Sequence, residues 1–208
     1  MEQELAKVVK PLPAALGFRV KSGWAMAVLL AGSSNTPQLM KCGPILLSDP
    51  KIPGSKQPFH AALELPETEA SAVTKRLQKV VRDAAKTSAK ELLKQAEGLC
   101  LNVHAACLVV GSMVDPATLH NDHIRAHGLE GQLFRTALED ALCGLGIRCS
   151  VLLGKNAYAS AAPKLRLSVG EIRRAMAELG ESHEGSWRAE EKLAALGAWM
   201  AIATGTTK

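Results

Sequence analysis

With 208 residues, 47% of them apolar and 22% charged, the chain has material for one sizeable globular domain and is neither a disordered segment nor a disulfide-stapled miniprotein. Its formal charge of +5 admits an anionic ligand or a nucleic acid without requiring either, and 3% aromatic residues leave little for base-stacking platforms. The five cysteines are odd in number and none are spaced as CxxC, and the N-terminus carries acids early without a long apolar segment, so a reduced, cytoplasmic protein with no membrane span, cofactor or metal is expected.

Residues 2–9 read as a short helix stopped by Pro11 and Pro13, making 1–16 an N-terminal extension. Residues 24–31 are unbroken apolar sequence, so a buried strand is expected over 17–31 and its antiparallel partner over 38–48, with Pro44 marking an edge or bulge. Residues 49–66, with prolines at 50, 53, 58 and 66, read as a loop or edge strand in which Lys56, Gln57 and His60 are the side chains to watch, although ordinary surface loops of this kind are commoner. The clearest helix spans 67–98, with Val73, Leu77, Val80, Val81, Ala84 and Leu92 on one face and Lys75, Lys79, Arg82, Lys86 and Lys90 on the other. That basic stripe could track a phosphate backbone; a solvated helix back, partly balanced by Glu67, Glu69, Asp83 and Glu91, is the commoner meaning.

A second core strand, 101–111, contains His104, which is more often a hydrogen-bonded core residue than a ligand. A helix follows from Asn121 or Asp122 to Leu145, its apolar stripe of Phe134, Leu138, Ala141 and Leu145 continuing toward Glu130, His127 and His123. Residues 147–153 form a short strand and 154–163 a loop. Ser168 and Glu171 have capping-box spacing for a helix through Leu179, and Ser186 is placed to cap a last helix over 187–203.

This order describes an α/β fold of the ribonuclease H-like class: a mixed five-stranded sheet, antiparallel hairpin strands then βα units, helices on both faces, and residues 24–31 at its centre, all in a single domain over 1–208. Gly17-Phe18-Arg19 followed by Ser22-Gly23-Trp24-Ala25, the segment from His123 to Gly131 and on into Gln132-Leu133-Phe134, Gly154-Lys155 through Ser160, and the alanine-rich stretch 189–203 resemble the RuvC-type Holliday-junction resolvases. The resemblance spans about residues 17–203 and points to an uncharacterised bacterial family with that fold. It implies a two-metal nuclease site built from an aspartate on strand one, a glutamate after strand four and acids on the last helix. This chain departs from the pattern: Arg19, with Lys21 nearby, stands at the first position, Gly111 or Ser112 at the second, and only Glu190 and Glu191 remain on the last helix. A cation repels Mg²⁺, so two-metal cleavage is not expected.

The same rim would gather Lys21, Ser22, Ser112, His123, His127 and Glu191, which makes Lys21, Ser22, Ser112 and Glu191 candidate ligand-binding residues for an anion. Alternation puts Arg19 and Lys21 on one face, where they pair with acids (Glu190 and Glu191 being the nearest candidates), meet an anion, or lie in a solvated loop. The expected function is a binding or assembly module with an anion-attracting cleft. The alternatives are a metal-independent enzyme using His123 or His127 with Ser22 or Lys21, and a nucleic-acid-binding protein related to the resolvases. His120, His123 and His127 cluster with Asp115, Asp122 and Glu130, but without His-Glu-x-x-His or a cysteine pair a metal is not the expected occupant. No Gly-x-Ser-x-Gly elbow, P-loop or GxGxxG occurs, and Cys42, Cys143 and Cys149 read as small core residues rather than reactive thiols.

Overall fold

The computed structural model describes residues 10–205. The expected helix over residues 2–9 lies outside them. A five-stranded sheet with strand order β3-β2-β1-β4-β5 is built from β1 (Leu12–Lys21), β2 (Trp24–Gly32), β3 (Pro37–Leu46), β4 (Leu101–Val110) and β5 (Arg148–Leu153). β1 runs antiparallel to β2 and β2 to β3, whereas β1–β4 and β4–β5 are parallel.

The strand expected over 17–31 is two strands. Ser22 and Gly23 turn the chain so that Lys21 pairs with Trp24, and Gly23 adopts φ +82°, a conformation that favours glycine. Arg19, Lys21, Ser22 and Gly23 fit either a kink in one long strand or a turn between two, and the Lys21–Trp24 pairing makes them the turn between two interior strands. The centre of the sheet is therefore β1, with residues 24–31 one strand away. β1 also begins earlier than expected, at Leu12. Pro13 is accommodated because pairing with β2 starts only at Ala14, so its missing N–H breaks no ladder bond on that side. Residues 49–66 hold no strand: they form turns and a 3₁₀ segment, His60–Ala62, and the edge belongs to β3 with Pro44 in it.

Helices cover both faces. On one, α1 (Glu67–Gly98) and α2 (Asp122–Cys143) pack on Leu16, Phe18, Ala27, Leu29 and Leu108 through Val81, Ala85, Phe134 and Leu138. On the other lie α3 (Ala157–Leu165), α4 (Val169–Glu181) and α5 (Ala189–Gly205). α3 replaces an expected loop because buried Ala157 and Ala161 anchor a run of good helix formers against α5 and the sheet. Asn121 caps α2, and Ser168 with Glu171 forms the capping box of α4. α5 starts at Ala189 rather than Trp187, and Ser186 does not open it: the Trp187 indole donates to the Met176 carbonyl at 2.6 Å, while the Glu191 carboxylate accepts from the Arg188 N–H at 2.8 Å. Among the described residues no helix is long and apolar enough to cross a membrane.

α5 lies directly on β1. A Cβ at Gly17 would stand 1.9 Å from the Ala194 carbonyl oxygen and 2.3 Å from the Ala198 nitrogen, both backbone atoms that no rotamer change moves. Gly43, in β3, has nothing within 4 Å of the equivalent position. Gly17→Ala is expected to cost about 1–3 kcal/mol in urea unfolding with the slope unchanged, against less than about 0.5 kcal/mol for Gly43→Ala.

Candidate functional site

Parallel pairing brings the C-terminal ends of β1, β4 and β5 to one rim, with Arg19 level with Val109. Pleating sends Phe18 and Val20 into the core under α1 and α2, and Gly17, Arg19 and Lys21 toward α5. The Arg19 side chain, 13% exposed, donates from Nε to Glu190 Oε2 at 3.1 Å and from Nη1 to the Val109 carbonyl at 3.3 Å. Lys21 Nζ meets the other oxygen, Oε1, at 2.7 Å. One carboxylate thus serves two cations. Gly111 and Gly154 flank the guanidinium, where a Cβ on either would stand 3.8 Å from it, an ordinary van der Waals contact.

A cleft of about 740 Å³ opens beside this cluster, between the ends of β1 and β4 and the flank of α2. Arg19, Lys21, Ser22, Ser112, His127 and Arg135 are among the residues lining it. Arg135 Nε is buried there without a hydrogen-bond partner. Asp115, the one acid of the lining, caps the 3₁₀ segment Pro116–Thr118 through the Ala117 N–H. Among its charged residues the wall therefore sets Arg19, Lys21 and Arg135 against one acid, within a largely apolar lining that includes Val110, Leu119 and Ile124.

Of the expected rim residues, Lys21, Ser22, Ser112 and His127 line the cleft, and two others do not. Glu191 is buried and bound to the Arg188 N–H; its charge is felt by Cys42, on the β3 side. One residue along a helix rotates a side chain by about 100°, which gives the site to Glu190 instead. His123 meets His127 and His60 edge to face, the His60 ring arriving from the proline-rich segment. Arg135 was not visible in the sequence, because nothing local separates it from other arginines on helix flanks. The stripe Lys75, Lys79, Arg82, Lys86 and Lys90 is exposed along α1, none of the five lines the cleft, and Lys79 is engaged with Asp83 at 2.7 Å.

No protein-family model matches the sequence, and the search of curated proteins finds no match. Among solved structures, Thermus thermophilus RuvC matches with a TM-score of 0.55 at 10% identity, over 92% of this chain and 95% of that one. The T. thermophilus RuvC complex with a Holliday junction substrate matches with a TM-score of 0.57 at 9% identity, over 92% and 94%. The fold is ribonuclease H-like, of the RuvC type. At this identity the likeness concerns the RuvC backbone and its order of elements, and the side chains at the rim have to be interpreted on their own.

The thiols contribute little chemistry. Burial pushes Cys42 up to about 11, with Glu191 adding to the shift, and burial also raises Cys107 and Cys149. Iodoacetamide at pH 8 should therefore alkylate the exposed Cys100 and Cys143 in the native protein and spare the other three, as read by intact-mass and peptide mass spectrometry. For the ion pairs, the more buried partner should dominate. Double-mutant cycles are expected to give a coupling of about 1–2 kcal/mol for Arg19→Met with Glu190→Gln, and under about 1 kcal/mol, falling with added salt, for Lys21→Met with Glu190→Gln.

Proposed function

We propose that this chain is a RuvC-type binding module whose cleft takes an anionic ligand, with the sugar–phosphate backbone of a nucleic acid as the leading candidate, and that it does not cleave by two-metal chemistry. The observation that carries this reading is Arg19. Its guanidinium lies at the end of the central strand, where the resemblance expects a metal-binding aspartate, and its charge is fixed by Glu190 and the Val109 carbonyl. Two cations against one carboxylate leave this cluster at net +1 (Arg19 plus Lys21 minus Glu190), which repels a divalent ion and attracts a phosphate. The unpartnered Nε of Arg135 adds a buried donor on the same cleft. An acid–base enzyme at this rim would depend on His127, because His123 does not line the cleft.

RuvC in one of the matching structures holds a Holliday junction, so a synthetic four-way junction is the first probe, with linear duplex beside it. Fluorescence anisotropy should show binding that weakens steeply with salt, by roughly 0.9 log units per log unit of salt for each phosphate neutralised. Lys21→Met with Arg135→Met should weaken it at least about tenfold, as expected for two charge-assisted contacts. Lys79→Glu with Lys86→Glu should leave it within about twofold; the opposite ranking would move the interface to the α1 stripe. Junction cleavage in Mg²⁺ that is abolished by Glu190→Gln would overturn the proposal.

A further inference from the structure

His60, His123 and His127 come from two distant parts of the chain and present ring nitrogens that all lie within 4.8 Å of one another. Among the described residues no other set of three His, Cys, Asp or Glu side chains brings ligand atoms so close. His123 and His127 are one helical turn apart on α2, and Glu130 follows three residues later on the same face. His60 opens the 3₁₀ segment and faces them, with ring centroids 4.5 Å and 4.2 Å from those of His123 and His127.

Two features exceed what a hydrogen-bonded histidine cluster requires. Glu130 is fully buried, and its Oε1 accepts both the His60 backbone N–H at 3.3 Å and His60 Nδ1–H at 2.8 Å. With Nδ1 engaged by the carboxylate group, Nε2 is the ring nitrogen of His60 left for a further partner. That Nε2 is buried with no hydrogen-bond partner, and so is Glu130 Oε2, 3.9 Å from His127 Nδ1. A buried carboxylate group behind an imidazole whose far nitrogen has no partner is the outer-shell arrangement that orients a histidine toward a metal.

We propose that His60 Nε2, His123 and His127 form a three-histidine site for a late first-row divalent cation of the zinc class, with Glu130 as the positioning carboxylate. Three imidazoles suit Zn²⁺ and not Mg²⁺ or Ca²⁺. Nitrogens in a tetrahedral set with bonds of about 2.0–2.1 Å lie roughly 3.4 Å apart, a contraction within reach of rotation about the side-chain bonds of the solvent-facing His123 and His127. Because these two rings are exposed, the fourth position opens to solvent and holds a water molecule, as in zinc sites that do chemistry rather than only brace a fold. The site shares His127 with the cleft wall but uses neither Lys21 nor Arg135.

The test uses the whole chain without a histidine tag, stripped with chelator and titrated with zinc chloride by isothermal calorimetry. One equivalent is expected with a Kd below about 1 µM, weakened at least about tenfold by His123→Gln or His127→Gln and about 10–100-fold by the isosteric Glu130→Gln. His120→Gln, at an exposed histidine outside the cluster, should leave the affinity unchanged. Co²⁺ should give the visible absorption of a tetrahedral nitrogen site in the natural protein and lose it in His123→Gln. If Glu130→Gln does not fold, the two exposed-histidine variants decide the matter. Absence of one-to-one binding in folded protein, or binding indifferent to His123→Gln and His127→Gln, would overturn the proposal and leave the cleft reading untouched.

Discussion

Gly17 has no side chain, and even a methyl group there would stand 1.9 Å from the carbonyl oxygen of Ala194, so α5 rests backbone to backbone on the central strand. Everything at the rim follows from that contact. Arg19 and Lys21 lie two and four residues beyond Gly17 on the same face of β1, and Glu190 lies one helical turn before Ala194 on α5. Two strand residues advance about 6.6 Å and one helical turn about 5.4 Å, so the two ladders stay nearly in step over this distance. The carboxylate of Glu190 is thereby delivered between the two cations. A side chain at 17 would lift the helix and separate charges that depend on each other.

The rim and the histidine cluster handle buried charge in opposite ways. At the rim, Glu190 is satisfied twice over, and the excess belongs to cations that reach the cleft. In the cluster, Glu130 is fully buried, receives two N–H bonds from His60, and keeps one oxygen without a partner. A low-dielectric site magnifies both an attraction and an unmet need. His127 belongs to both neighbourhoods, lining the cleft on one side and facing His60 on the other. Any ligand that fills the cleft lies next to a ring of the cluster.

The sheet ends in β3 on one side and β5 on the other, and the features of β3 oppose further strand addition. Pro44 removes one ladder donor, Lys41 is exposed, and a register shift opposite Leu29 and Leu30 twists the strand locally. The long basic helix α1 covers one face of the same half of the sheet, and Ser88 donates to the Leu46 carbonyl at 2.7 Å, tying the helix to that edge. The exposed back of α1 carries the basic stripe, none of whose residues lines the cleft.

What the sequence alone determined is what depends on local chemistry. The helix over Glu67–Gly98, the Asn121 cap, the capping box at Ser168 and the strands beginning near Leu101 and Arg148 follow from side-chain period and from hydrogen bonds within a few residues. The resemblance to resolvases and the common face of Arg19 and Lys21 were legible for the same reason, since order of elements and alternation are one-dimensional properties. Tertiary structure decided the rest. The polar residues Arg19, Lys21, Ser22 and Gly23 are compatible with a kink in one strand or a turn between two, and only the pairing of Lys21 with Trp24 decides for the turn. Helical phase chose Glu190 over Glu191 through the docking of α5 on Gly17, a contact between residues more than 170 positions apart. The meeting of His60 with Glu130, 70 positions apart, depends on where the proline-rich segment lies against α2. No local pattern encodes that placement, because it is set by packing across the whole face of the sheet.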